Sequence, residues 1–547
     1  MGGSAFRARA LGVVLVVACS ACSGGGSGGD DWVPGPDPPE SSAQAARFLT
    51  QATFGPTVRE IDRLSVIGYT AWLDEQSSAT VSLQRPTMQA IAQQQSGDVY
   101  QHDRVMRWWR TAVEGHDQLR LRVAFAWSEI FVISDVSSAL ESDVIGMAEY
   151  YDILSRGALG NFRDLIEAVT LSPAMGKYLG TLRNRKADAV SNIRPDENYA
   201  RELMQLFTIG LVELNADGTP RLDAGGAPIP TYGQAEVEEL SRVLTGWNFA
   251  NAQHWDWTPN ESFQPMEPWE EYHDTGGKLI VGGTLIPPGG TAAADLDLAL
   301  DAICAHPNVA PFICKQLIQR LVTSNPSPEY VARVAAVFAD DGTGERGDLE
   351  AVVRALLLDD EARHGHLAAP DTFGKLREPL VCVTALWRAF DAHSNDGRFH
   401  YAWPEDDLGQ APLRSPSVFN FFRPDYAPQG EVANLGLVAP EMQIVTDTLV
   451  TSYTNRMWHA TIASWAGAPW QSDEQVVLYL AREKALADDS QALLDHLDLL
   501  LMSGQMPSEM RDAIRTHIDT FDPQDRTGRV VDALYLIVTS PEFRVQK

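Results

Sequence analysis

From Ser41 onward, apolar side chains recur at helical spacing, and the breaks between them carry helix-cap chemistry. That combination leaves room for little but a helical fold. Thr57-x-x-Glu60, after Gly55-Pro56, is a capping box that opens a helix. Residues 101–134 read as two amphipathic helices rich in Trp and Leu. The stretch 160–180 begins on an Asn cap and restarts at Ser172-Pro173, where Ser caps and Pro takes the first turn. Similar apolar helices ending near an acidic or Ser-Pro turn recur at 348–363 and 529–544; a reused helical unit and shared capping chemistry account for this equally well. Pro311, Pro328 and Asp348 fall at helix starts, 373–392 reads as a long apolar helix, and the last hundred residues return to helices. Three segments interrupt the pattern. Residues 210–232 carry Asp217-Gly218 and Gly225-Gly226 between short apolar runs and read as a small β-hairpin. Residues 247–290 are loop-like and aromatic, and 401–440 are Pro-rich and irregular. The expected fold is mainly α: a large multi-helix body with a small β-hairpin inserted near 210–232.

Composition excludes several classes. Of 547 residues 44% are hydrophobic and 21% charged, which suits a packed core and not a mainly disordered chain. The formal charge is −30. A field of that sign repels phosphate backbones and anionic headgroups, so neither a nucleic-acid partner nor a basic membrane-binding face is expected.

The N-terminus reads as an address. Arg7 and Arg9 precede an apolar run, Ala10 to Ala18, too short to span a bilayer and shaped like the core of a signal peptide. It ends Val16-Val17-Ala18-Cys19, followed by Ser20-Ala21-Cys22, and resembles a lipobox in which Cys19 (or Cys22) becomes the lipidated first residue. Simple cleavage without a lipid is the alternative. The Gly/Ser-rich stretch from Ser23 to Gly29, stiffened by Pro34 to Pro39, suits a tether. The expected organisation is a signal peptide with lipobox (1–19), a tether (20–40), an N-terminal helical region with hairpin and aromatic loop (41–290), and a C-terminal helical region (291–547), the last two either separate or one continuous domain. The protein would then be exported, periplasmic or on the outer membrane or cell surface, and touch the membrane only through its lipid. The remaining cysteines, Cys304, Cys314 and Cys382, permit at most one bridge, lack the spacing of a zinc site, and read as buried free thiols.

The segment PDENYARELMQLFTIG (195–210) concentrates charge on a helix. Pro195 fits its first turn and Gly210 stops it; Leu203, Leu206 and Phe207 form one stripe. Glu197 and Arg201 share a face, as do Asn198 and Glu202. On an ordinary helix this is a solvated ion-pair face. The next helix ends SRVLTGW (241–247), where Arg242 is placed to meet a carboxylate of the first helix. Trp247, Trp255, Trp257, Trp269 and Tyr272 follow, closed by His273-Asp274. Such rings bind sugars or partner proteins, or fold back as a lid; the His-Asp step is able to ligate a metal or to work as an acid–base pair. His364-Gly365-His366 reads as a surface turn. There is no nucleotide-binding glycine loop, His-Glu-x-x-His helix, nucleophile elbow or haem-attachment motif, and Asn215-Ala216-Asp217-Gly218 lacks the rest of a calcium loop. No cofactor and no metal is assigned.

Several blocks resemble, in order and along nearly the whole mature chain, the bacterial family known as domain of unknown function 1800. They are RFLTQATFGPT (47–57), PDENYARELMQLFTIG, LTGW, the stretch 306–338, FGKLREP (373–379) and SPSVFNFFRPDYAP (415–428). The resemblance implies a large, exported, mainly helical protein without an established activity. It also implies a frequent neighbour, unknown-function family 1501, which resembles alkaline-phosphatase-type hydrolases. Many members carry histidines in the Trp-containing helix near 127; this chain reads AFAWSEIFVIS (124–134), so a metal site built on them would be lost.

Two functions are compatible with these residues. One is a scaffold or partner of an envelope hydrolase, in which Glu197–Arg201 and Glu202–Arg242 brace helices and the aromatic loop is a docking surface. The other is a hydrolase of envelope or extracellular polysaccharide. Glu197 and Glu202 lie roughly 140° apart around a helix, so a catalytic pair would join Glu202 to Asp274 or His273, with Arg242 nearby. The first reading is preferred because no catalytic constellation is recognisable.

Overall fold

A computed structural model describes residues 38–259, 262–463 and 476–547. The expected signal peptide, lipobox and most of the tether lie outside the described residues. The described residues from 38 onward belong to one compact unit. The boundary suggested near 290 falls inside it: the hairpin before that point and the helix Ala292–Ala305 after it both pack on the helix Gln234–Val243.

The fold is mainly α, with only small two-stranded sheets among the described residues. Cap chemistry sets many of the helix starts. Thr57 Oγ1 accepts the Glu60 amide at 3.1 Å and donates to the Glu60 carboxylate at 3.2 Å, opening the helix Val58–Ser78. Asn161 caps Phe162–Thr170, and Pro173 begins Pro173–Leu179. Asp348 and Asp359 cap Leu349–Leu358 and Asp360–Ala368. The two similar units meet at their caps: the Phe162 amide donates to Gly347 and the Leu349 amide to Gly160, each at 2.8 Å. One continuous apolar core runs through the body, with Trp72, Trp108, Trp109, Trp127 and Trp387 almost wholly buried. Trp109 Nε1 donates to the Tyr401 carbonyl at 2.9 Å, which pins the irregular 401–440 stretch to the core. Cys304, Cys314 and Cys382 are buried and unbridged. No helix of the described residues is long and apolar enough to cross a membrane.

The 210–232 insertion is β-paired as expected: Val212 pairs with Pro230, Leu214 with Pro220 and Leu222 with Pro228, through turns at Gly218 (φ 74°) and Gly226 (φ 84°). Two local expectations change. Residues 373–392 are not one helix. Lys375–Leu376 is a strand paired with Val545–Gln546, and the helix runs Pro379–Ala389, because Pro379 has its fixed φ at the first helical turn and disfavours helix at Glu378. His364 to His366 lie within the helix Asp360–Ala368, capped by Asp359, and not in a turn.

Candidate functional site

The 195–210 segment is short α-helix followed by π-helix. Asp196 opens it: its Oδ1 accepts the Asn198 amide at 2.8 Å, and Asn184 Oδ1 accepts the Asp196 amide at 2.8 Å. Residues Asn198–Glu202 are α-helical and Leu203–Thr208 form the wider π turn. The π turn ends where the Ile209 and Gly210 amides both reach the Met204 carbonyl, at 3.0 and 2.9 Å. Such wide turns are rare and frequent at functional sites. Leu203, Met204 and Phe207 are buried, while Leu206 is only partly so.

The polar face divides in two. Arg201 pairs with Glu197 at 3.1 Å, and the Gln234 amide joins both, at 3.2 and 2.9 Å. Both charges are more than a third exposed, so this pair stabilises little. Asn198 is exposed. Glu202 differs: its Oε2 is buried with no hydrogen-bond partner, as is the Tyr232 hydroxyl. Burial pushes the Glu202 carboxyl above its usual range. Burial, with the Glu202 charge adding to it, pushes Tyr232 up to about 12 and also raises Tyr178.

Arg242 does not meet Glu202. Its Nε and Nη2 hold Asp274 at 2.9 and 3.0 Å, and its Nη1 holds Glu239 at 2.7 Å and the Gly277 carbonyl at 3.1 Å. Burial acts to raise Asp274, but hydrogen bonds from Arg242 and the Gly276 amide outweigh it and hold the carboxyl below its usual range. His273 and Asp274 do not act together either. His273 is wholly buried, with Nδ1 at 2.9 Å from the Thr245 carbonyl and Nε2 at 3.2 Å from Asp295. Lys278, also buried, donates to the same Asp295 oxygen and to the Asp274 carbonyl. The bidentate Arg242 fork and this His273–Asp295–Lys278 group therefore lock the hairpin Lys278–Ile286 onto its neighbouring helices. Neither presents a free general base.

The aromatic segment mostly folds onto the body. Trp247 and Trp255 are buried, and Trp257, Trp269 and Tyr272 are half-buried. Trp255 stacks on Tyr272 with ring centroids 3.9 Å apart and meets the edge of Trp269 at 6.0 Å. Trp247 Nε1 is buried without a partner.

A group missed by the sequence reading lies where FGKLREP and SPSVFNFFRPDYAP meet the helices Gln118–Ser128 and Val309–Leu321. Glu129, Glu378 and Glu441 are buried there with Arg122, Arg320 and Lys375, none more than 5% exposed. Lys375 binds Glu441 at 2.9 Å, and the Gln410 amide reaches Glu378 at 2.6 Å and Glu129 at 3.3 Å. Arg122–Glu378 and Arg320–Glu129 stand 3.9 and 3.7 Å apart, too long for direct hydrogen bonds. Burial and the facing charge of Glu378 push Glu129 well above its usual range. Burial opposes ionisation of Glu378 too, but Lys375 and Arg122 outweigh it and keep this carboxyl low. The signal was present as charged residues inside apolar runs: Glu129 in AFAWSEIFVIS and Arg320 in LIQRLV. Among the described residues no group of three or more His, Cys, Asp or Glu is arranged to hold a metal ion.

A family model described as a protein of unknown function (DUF1800) matches residues 47–545. No curated protein and no solved structure matches the chain.

Proposed function

Since the chain belongs to the DUF1800 family, which carries no activity in its description, we propose from its own residues that it is an exported envelope lipoprotein serving as scaffold or partner of an envelope hydrolase. The hydrolase of the neighbouring unknown-function 1501 family is the proposed occupant. The observation carrying this reading is the closure of Arg242, His273 and Asp274 into internal hydrogen bonds, which leaves them for bracing and not for chemistry. A surface for a partner lies on the braced hairpin: Leu279 and Leu285 are cross-strand neighbours, 56% and 66% exposed. The test is affinity purification of the full-length protein from native membranes. A phosphatase-like hydrolase is expected to accompany it and to be lost from the L279S/L285S variant. Recovery of the protein alone counts against the scaffold.

One observation favours hydrolysis of envelope or extracellular polysaccharide as a second reading. Glu202 Oε2 and the Tyr232 hydroxyl are both buried and unpartnered, beside a π turn. On this reading Glu202, whose carboxyl burial pushes above its usual range, is the general acid. Polysaccharide hydrolysis by the purified protein, abolished in E202Q and kept in E197Q, would establish it and displace the scaffold.

A further inference from the structure

A groove of about 430 Å3 lies between the helix Asp360–Ala368, the turn at Met502–Pro507 and the segment Val545–Lys547. Met502, Pro507, Pro541 and Val545 give it an apolar wall, while Arg377 and Lys547 supply its cationic side, with the His366 imidazole beside them. Glu542 is the one acidic side chain among its lining residues.

The cations here are unusual for this chain. Arg377 is 5% exposed, is fixed by the Leu501 carbonyl at 2.9 Å and by the face of Phe543 at 4.9 Å, and its Nε has no partner. Arg47 stands behind the groove, 3% exposed, held by the backbone oxygens of Lys547, Ala362 and Arg363. Among the described residues Arg377 forms no ion pair with an Asp or Glu, although the chain has 73 acidic residues. His366 Nδ1 is also buried without a partner. Burial, then the charges of Arg47, His364, Arg363 and Lys547, push this imidazole down to about 4. A buried guanidinium with no counter-charge is costly, and an anion entering from outside relieves that cost. The apolar wall favours an anion that carries hydrocarbon over a bare inorganic ion.

We propose that this groove binds a small organic acid, its anionic oxygens on Arg377 and His366 and its apolar body along Met502, Pro507, Pro541 and Val545. The test is calorimetric titration of the purified mature protein with hexanoate, hexanol and inorganic phosphate. Hexanoate is expected to bind, with hexanol and phosphate at least about tenfold weaker. R377Q and H366Q are expected to weaken hexanoate about tenfold or more, while H364Q, on an exposed ring paired with Asp360, leaves it unchanged. The His366 ring resonances should report a raised pKa when hexanoate is bound, a readout that needs no variant and survives a failure of R377Q to fold. Hexanol or phosphate binding as tightly as hexanoate, no saturable binding of hexanoate, or undiminished affinity in both folded variants would overturn the proposal.

Discussion

At the scale of single residues, the interior is unusually rich in ionisable groups, and their environments separate their roles. Glu129 and Glu378 face each other, yet only Glu378 stands against Lys375 and Arg122. Glu129→Gln is therefore expected to change stability by about 1 kcal/mol or less, because burial and the facing Glu378 disfavour its charged form. Glu378→Gln is expected to cost about 3–5 kcal/mol, because it strands a buried cation. Urea denaturation at pH 7 separates the two, and equal losses would mean that the environments of the two carboxyls do not differ in this way. Asp152 contributes to the pH dependence of stability. It is fully buried, and accepts the Gln84 and Arg85 amides at 2.7 and 2.9 Å. Burial raises it from 3.8 to about 6 against those two hydrogen bonds. The native state thus keeps a proton that the unfolded chain releases, so stability falls as pH rises between those values, by about 2–3 kcal/mol. Asp152→Asn should remove that part of the slope in unfolding curves measured from pH 4 to 7; an unchanged slope would place it elsewhere. Glu129 and Arg320 stand inside apolar runs of the sequence, but nothing local names their partners. Arg122 and Glu378 are 256 positions apart, and Arg242 chose Asp274 over Glu202 because the hairpin brings the 274–278 turn onto its helix.

At the scale of elements, legibility tracked how local the determining interaction was. The starts at Thr57, Asn161 and Asp348 follow from side chains bonding amides two or three residues away, and sequence exposes them. The π turn at Leu203–Thr208 does not follow from local spacing, since apolar residues there suit an α-helix equally well. It is fixed by tertiary surroundings at its end. Gly210 has φ 73°, and a Cβ on it would stand 2.8 Å from the Phe312 ring. Gly210→Ala is therefore expected to lose about 1–3 kcal/mol from backbone strain and more from the clash. Gly226→Ala, at φ 84° with open space around it, should lose only the strain part. Chemical denaturation of both variants checks the difference; equal losses would show that Phe312 yields freely. The strand Lys375–Leu376 escaped notice for the same reason, since its partner is the chain's last segment and no nearby residue announces it.

At the scale of the whole molecule, composition and capping foretold a large helical body, and the family blocks foretold its extent. The apolar run before Cys19 supports anchorage. Cys19→Ala is expected to move the protein from the membrane to the soluble fraction and to abolish incorporation of labelled palmitate. Retention in the membrane, with Cys22→Ala causing the release instead, would move the modified residue to Cys22. What remained illegible was which distant segments meet, because hydrophobic packing is not directional. One such meeting governs how the molecule is made. Val545–Gln546 pairs with Lys375–Leu376, Gln546 also reaches the Leu321 and Val322 carbonyls, and Arg47 grips the backbone of Lys547. Synthesis runs from one end to the other, so this seam stays open until residue 547 has been delivered, and earlier helices must wait with their apolar stripes uncovered. The nascent chain thus keeps apolar surface open to solvent until that seam closes.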